Sequence, residues 1–272
     1  MKELLLSTQE KVTAESSLLV VAAPEKPLLD HELAAIESYL KSGGRLLALL
    51  PSTDGESLKR FLMTWGVEVG DNIVVDQVIR LFAGPTLGVE PIADSYSALH
   101  PITRDFKERT LFPLVRSVEA AKEAKNGLEV TSLVKTSSTS WAEKDLNGVF
   151  KQGTASLGPE DKKRPISVGV AVTANLKKLG VERDGDARLV VLGTAGLANN
   201  RSIKIFFNRD FFLNAVNWLA GQEEMISLRP RSIRPSQVQL TEGQGAAIFY
   251  LSFLILPEIL LIIGLGVWWR RR

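Results

Sequence analysis

The chain has 272 residues, with 33 Lys and Arg against 31 Asp and Glu, two His and no Cys. A charge this close to neutral leaves no footprint for a nucleic-acid partner, and the absent thiols exclude a disulfide framework, a thiolate metal site and a cysteine nucleophile. His31 and His100 alone do not make a multi-histidine metal centre, and no cofactor motif is present, so none is expected.

The first residues, Met1-Lys-Glu-Leu-Leu-Leu-Ser7, lack the long apolar core and small-residue cleavage site of a signal peptide. This leaves two expectations open: a cytoplasmic soluble part, or a missing upstream piece. Ser17 to Ala23 is a continuous apolar run ending at Pro24, as a parallel strand buried on both faces requires. Asp30 is placed as the N-cap of a helix reaching Lys41, with Leu33, Ile36 and Leu40 on its apolar stripe and Gly43-Gly44 as its stop. Arg45 to Leu50 is the next strand, so strand, helix and strand form a right-handed βαβ crossover. A second helix runs from about Glu56 to Trp65, turning Leu58, Phe61 and Leu62 inward. Short strands follow at Gly66 to Gly70 and Asn72 to Asp76.

Between Leu81 and Thr103, Gly84-Pro85, Pro91 and Pro101 break any period. Two alternating runs, Leu111 to Val118 and Leu128 to Thr136, are expected to pair as a hairpin or as neighbours. Ser137 to Arg164 is polar and reads as an exposed excursion. Pro165 to Val172 and Arg188 to Gly193 return to the sheet. Phe206 to Leu219 is an amphipathic helix with Phe207, Phe211, Leu213, Val216 and Leu219 as core candidates. Met225 to Leu240, with Pro230 and Pro235, reads as a semi-extended tether.

Gly245 to Trp269 is a nearly unbroken apolar run, long enough as a helix, at roughly 37 Å, to cross a hydrocarbon core of about 30 Å with some tilt. Trp268 and Trp269 stand where an interfacial aromatic belt would stand, and Arg270 to Arg272 follow as a stop. Those arginines favour a cytoplasmic C-terminus. The chain thus divides into a soluble α/β unit over 1–228, a tether over 229–244, a transmembrane helix over 245–269 and a basic tail over 270–272.

Little chemistry is legible. Gly193-Thr-Ala-Gly196 follows a buried strand, where a phosphate-facing turn would lie, but it lacks the G-x-G-x-x-G spacing and the P-loop lysine, which favours a plain turn. No G-x-S-x-G elbow exists. Asp76, Asp94, Asp105, Glu143 and Asp145 are scattered, which favours solvated loop charge over a catalytic pair. His100-Pro101 reads as a turn. Glu258, beside Pro257 near the middle of the spanning helix, is the exception: a central carboxylate costs on the order of 3 kcal/mol on insertion scales and favours burial against a partner helix. The alternative is a protonated, tolerated Glu. Pro257 removes one helix hydrogen bond and tends to kink the segment.

Thr136-Ser-Ser-Thr-Ser-Trp-Ala-Glu143, Arg164-Pro-Ile-Ser-Val-Gly-Val-Ala171, Leu189-Val-Val-Leu-Gly193, Asn199-Asn200, Phe211-Phe-Leu-Asn-Ala-Val-Asn-Trp-Leu-Ala220 and Glu224-Met-Ile-Ser-Leu-Arg-Pro230 occur in this order before the final apolar helix. Together with Asp76 and His100-Pro-Ile-Thr103, they resemble the GldG-type family of auxiliary, extracytoplasmic components of ABC transporters, first associated with gliding motility. The resemblance runs from about Ser17 to Arg272 and is most specific over Phe211 to Pro230. It implies a doubly wound, mostly parallel α/β sheet of the glutamine-amidotransferase-like kind, no catalytic residues, and permease and ATPase subunits as partners beside the membrane lipid. Two departures stand out: Thr194-Ala-Gly196 replaces a frequent acidic residue, and the family's usual N-terminal membrane helix and first part of the domain are not matched. An N-terminal half or a second copy completing the sheet is therefore a further expected partner. A tethered module binding a polysaccharide or peptide, and a hydrolase with an unrecognised site, are the rival readings.

Overall fold

A computed structural model describes residues 3–6, 11–13, 16–76, 87–122, 125–163, 165–227 and 250–271. It contains two compact units, Met1–Leu228 and Arg229–Arg272.

The first unit is built on a six-stranded sheet. Strands β1 (Leu19–Ala22), β2 (Arg45–Leu49) and β11 (Asp186–Leu192) lie side by side and parallel. The sheet then continues antiparallel through β10 (Ser167–Asn175), β7 (Leu128–Lys135) and β5 (Ser95–Tyr96). The expected parallel arrangement therefore holds for three strands and gives way to a mixed sheet where β10 and β11 follow each other directly as an antiparallel pair. Two small sheets complete the unit: β3 (Val67–Val69) with β6 (Val118–Ala120), and β4 (Ile73–Asp76) with β8 (Ser140–Glu143) and β9 (Lys162–Lys163).

Both faces of the large sheet are covered, and the two-residue period of its strands shows how. Leu46, Ala48 and Leu50 of β2 and its end, with Leu189 and Val191 of β11, pack toward helices α1 (Asp30–Lys41) and α2 (Glu56–Thr64), where Ile36, Leu40, Leu58 and Leu62 are buried. Leu47, Leu49, Val190 and Leu192 point the other way, onto Phe211, Ala215 and Trp218 of α3 (Asn208–Leu219). A strand apolar at every position is thus the signature of a sheet sandwiched between helices. Each fully buried leucine contributes about 2 kcal/mol by area removed from water.

Helix ends are held by side chains. The Leu29 N–H donates to the Glu32 carboxylate at 2.9 Å, so Asp30 is the first helical residue and not the N-cap. At the C-terminal end of α3, Arg45 and Arg188 donate to the carbonyls of Leu219 (2.6 Å) and Trp218 (2.9 Å). Cations at a helix C-terminus satisfy orphan carbonyls and meet the negative end of the dipole. Phe211 anchors α3 in an aromatic cluster with Phe106 and Phe112, each at 5.8 Å between ring centres, while Leu213 stays exposed, contrary to expectation.

Two further expectations are corrected. Leu111 to Val118 does not pair with β7. It runs as a buried, mostly irregular segment between two sheets: the Val74 N–H donates to the Val115 carbonyl (2.8 Å) and the Arg116 N–H to the Gly193 carbonyl (2.9 Å). Its alternation is that of a chain wedged between two partners, which a strand mimics. Nor is Ser137 to Arg164 wholly exposed. Ser140 to Glu143 form β8, buried throughout, and Trp141 sits with Val75, Val149 and Ala155 in a small core of its own. Beside β8 two hydroxyls are consumed internally, since those of Ser137 and Thr139 donate to Asp76 at 2.8 and 3.1 Å, while most of the stretch from Lys144 to Glu160 is exposed as expected.

The described residues of the second unit form one helix, a π-helical turn Leu251–Ile255 followed by α-helix Leu256–Arg270, with Pro257 in the first α turn. The wide turn stands immediately before the proline, which has no N–H to give to the ladder. Leu251–Arg270 is long and apolar enough to cross a membrane, and none of it is buried. The expected span from 245 to 249 and the tether over 229–244 lie outside the described residues, as does Leu81 to Thr86 of the irregular stretch.

Candidate functional site

The scattered carboxylates do not converge. Asp76 and Glu143 are both buried on paired strands, but the register sets Asp76 opposite Ser140 and Ile73 opposite Glu143, which places the two acids roughly 10 Å apart along the ladder. Glu143 accepts from the N–H groups of Asp145 (3.0 Å) and Ser156 (3.1 Å), an arrangement that closes a loop. Asp145 accepts from the Gly148 N–H at 2.9 Å, and Asp105 pairs with Arg104 at 3.4 Å. Among the described residues no group of three or more His, Asp or Glu is placed to hold a metal ion.

His100 is a structural residue. Its carbonyl accepts from Thr103 and Arg104, its Nδ1 accepts from the Ile102 N–H at 3.3 Å, and its ring meets Trp218 edge-on at 4.6 Å. Arg188 lies over the Trp218 ring at 4.9 Å and pairs with Glu223 at 2.8 Å. Burial pushes the His100 pKa down to about 4, with Glu223 opposing the shift and Arg188 adding to it. The unfolded chain takes up this proton near pH 6.5 and the folded one does not, so folding stability falls as pH drops from about 6.5 toward 4 and is unaffected above that window. Between pH 7 and pH 5 the loss is about 2 kcal/mol. Urea midpoints measured at the two values are expected to differ accordingly, and His100→Phe to remove most of the difference.

The turn Gly193 to Gly196 resolves in favour of structure. The Ala195 N–H donates to the Leu50 carbonyl (3.0 Å), the Gly196 N–H to Thr194 Oγ1 (2.8 Å), and the Thr194 hydroxyl to the Pro113 carbonyl (2.6 Å). A phosphate cradle needs several free N–H groups, and here those of Gly193, Ala195 and Gly196 are spent.

That turn nevertheless walls a cleft of about 230 Å³. Ala23 after β1, Leu50 to Ser52 after β2 and Thr194 to Gly196 after β11 bring the C-terminal ends of the three parallel strands to it, with Glu90, Pro113, Leu114, Asn199, Arg201 and Ser202 closing the rim. The connection leaving β2 enters α2 on one face, and that leaving β11 leads to α3 on the other. Adjacent parallel strands whose connections part in this way form a topological switch point, where open α/β sheets hold their ligands.

Backbone strain collects in the same place. Four non-glycine residues among those described have positive φ, and two of them, Ala23 (41°) and Leu114 (48°), line this cleft. A third, Asp54 (59°), lies on the loop after β2, where its carbonyl accepts from Arg116 Nη1 at 2.7 Å. Such conformations cost of order 1–3 kcal/mol each and persist where the surroundings impose them. Arg116 is the residue that imposes: it also donates to the Gly70 carbonyl (2.8 Å) and the Asp71 carboxylate (2.6 Å) from a side chain only 5% exposed. Burial lowers its pKa, and Asp71 opposes the shift. The sequence did carry one signal for it, a lone cation inside the apolar run Leu111 to Val118. Larger clefts occur, such as one of about 490 Å³ along the edge strand β5, but they lie away from the C-terminal ends of the parallel strands and their linings include none of the non-glycine residues with positive φ.

Fold and site together define an α/β domain with helices on both sheet faces and a strand-end cleft, in a chain that also holds a helix able to cross a membrane. The chain belongs to the ABC-type uncharacterized transport system family, whose model matches residues 2–217, and it is thereby an auxiliary component of an ABC-type transport system. No curated protein matches the sequence. Among solved structures it is similar to the mmIFT52 N-terminal domain, at 19% identity over 75% of this chain and 77% of that one, with a TM-score of 0.52. This similarity concerns the fold alone. A thua-like protein from Bacteroides uniformis matches at 13% identity over 75% of this chain and 69% of that one, with a TM-score of 0.43.

Proposed function

We propose that this chain is a non-enzymatic, membrane-anchored auxiliary subunit of its transport system, of the GldG type and related to gliding-motility components. Residues 1–228 form the extracytoplasmic unit, 229–244 the tether, 245–269 the span of the cytoplasmic membrane and 270–272 its inner tail. A permease subunit contacts the span, and ATP hydrolysis belongs to a separate ATPase. The observation that carries this reading is the wholly exposed apolar helix Leu251–Arg270 in a chain of the transport family. β1, at the open edge of the large sheet, is where an N-terminal half or a second copy would add, in an amidotransferase-like arrangement.

Glu258 tests the partner. It is exposed on an otherwise apolar face with Leu254, Leu261 and Leu265, one and two helical turns away. If it hydrogen-bonds a polar group on a permease helix, Glu258→Leu strands that group in a low-dielectric site. Interhelical hydrogen bonds in membranes average about 0.6 kcal/mol and seldom exceed roughly 2, and a charged partner costs more to strand. Glu258→Leu is expected to insert normally and to reduce co-purification of the permease severalfold, with Glu258→Gln intermediate and Leu260→Ala or Ile263→Ala near the parent. Equal recovery of the permease with Glu258→Leu removes Glu258 and Pro257 from the interface. Recovery of the parent chain without permease or ATPase favours a tethered binding module instead.

A further inference from the structure

The cleft at the β2 and β11 strand ends has a size and a charge pattern that together narrow what it takes. At about 230 Å³ it falls below the range of about 300–1,000 Å³ that suits drug-sized ligands, so it has room for one small solute. Leu50, Pro51, Pro113 and Leu114 give its lining apolar surface.

The charged groups it offers a ligand are side chains, and many of the backbone amides in its lining are already engaged. Besides the spent amides of the Gly193 turn, the Leu114 N–H donates to the Val89 carbonyl, and those of Arg201 and Ser202 donate to Asn199 Oδ1 at 3.0 and 2.8 Å. Arg201 and Glu90 are both exposed at the rim, and among the described residues neither forms an ion pair. A simple anion would meet Arg201 but face Glu90, and a simple cation would meet Glu90 but face Arg201. A neutral solute would leave both charges without a partner. A molecule carrying one charge of each sign satisfies both.

We propose that this cleft binds a small zwitterionic solute of the size and charge pattern of a free α-amino acid, its carboxylate on the Arg201 guanidinium and its ammonium on the Glu90 carboxylate. Ala23 and Leu114 supply the shape: their strained backbones hold the walls in place before the solute arrives, so little ordering cost falls on binding. Arg116, fixed beneath the loop after β2, is a positioning residue for that wall. The proposal stands on the soluble unit, whereas the transport reading stands on the family and the terminal helix, so either can fail without the other.

The test is calorimetry on the full chain in lipid nanodiscs, titrated with the twenty α-amino acids, first pooled and then singly. Propionate, ethylamine, glucose and inorganic phosphate serve as anionic, cationic, neutral and phosphate probes. At least one amino acid is expected to bind saturably and all four probes to bind at least tenfold more weakly. Arg201→Ala and Glu90→Gln each remove one charge-assisted hydrogen bond to the solute, and each should weaken binding about ten- to a hundredfold. Arg209→Ala, on an exposed position of α3, should leave binding unchanged. Near-UV circular dichroism checks that the variants keep the parent fold. No binding of any amino acid, a probe binding as tightly, or binding unaffected by both rim variants overturns the proposal.

Discussion

Gly193→Ala is expected to cost the soluble unit about 4 kcal/mol or more, or to prevent its folding. A Cβ at this position would stand 2.1 Å from the Arg116 carbonyl oxygen and 2.9 Å from a Val115 methyl. Neither neighbour is a flexible side-chain end. Gly193 donates its N–H to the Val168 carbonyl and accepts from the Arg116 N–H, both at 2.9 Å, so the two backbones are tied at the distance the new methyl would occupy. Overpacking of this kind ordinarily costs about 1–3 kcal/mol when side chains can shift, and more when only backbone can. Gly180→Ala is the control: nothing lies within 4 Å of its added Cβ, and only its φ of +79° is unfavourable, at about 1 kcal/mol. Urea unfolding of both variants decides it. Equal, small losses would mean that the segment before Val118 does not pass this close to the end of β11.

Arg116→Met is expected to destabilise the unit by about 2–6 kcal/mol, at about 1–3 kcal/mol for each of two stranded acceptors. The methionine replaces the stem but leaves the carbonyls of Asp54 and Gly70 without their donor. Asp71→Asn should cost under about 1 kcal/mol, because Asp71 is 62% exposed and water takes over from the guanidinium. The contrast separates the positioning role from the ion pair: comparable losses in the two variants would assign the stability to the charge pair and not to the carbonyl hydrogen bonds. Gly193 and Arg116 touch, so the double variant should fall short of the sum of the two losses.

The sequence alone determined those features that are written along one element. Continuous apolar strands at Ser17 to Ala23, Arg45 to Leu50 and Arg188 to Gly193 declared a sheet covered on both faces, because a strand that alternates would leave one face in water. Helical spacing located α1, α2 and α3 to within about two residues, and a run of apolar residues marked the terminal helix. Each of these signals is local, and local periodicity is what the chain states openly.

Tertiary structure decided the rest, for reasons of distance and of ambiguity. Whether β10 ran parallel or antiparallel to β11 depended on how the connection between them turned, which no periodicity encodes. Leu111 to Val118 has the alternation of a strand, yet its partners are a carbonyl at Gly193 and an amide at Val74, too remote in sequence to be read from the run itself. Ser137 to Glu143 looks solvated because its hydroxyls are polar, but those of Ser137 and Thr139 serve Asp76, 61 and 63 residues earlier in the chain, and the residues from Ser140 to Glu143 are buried. The cleft is the extreme case. Ala23, Ser52, Glu90, Leu114 and the segment from Thr194 to Arg201 come from five separate stretches, and their proximity exists only because three parallel strands end together while the connections leaving two of them part to opposite faces.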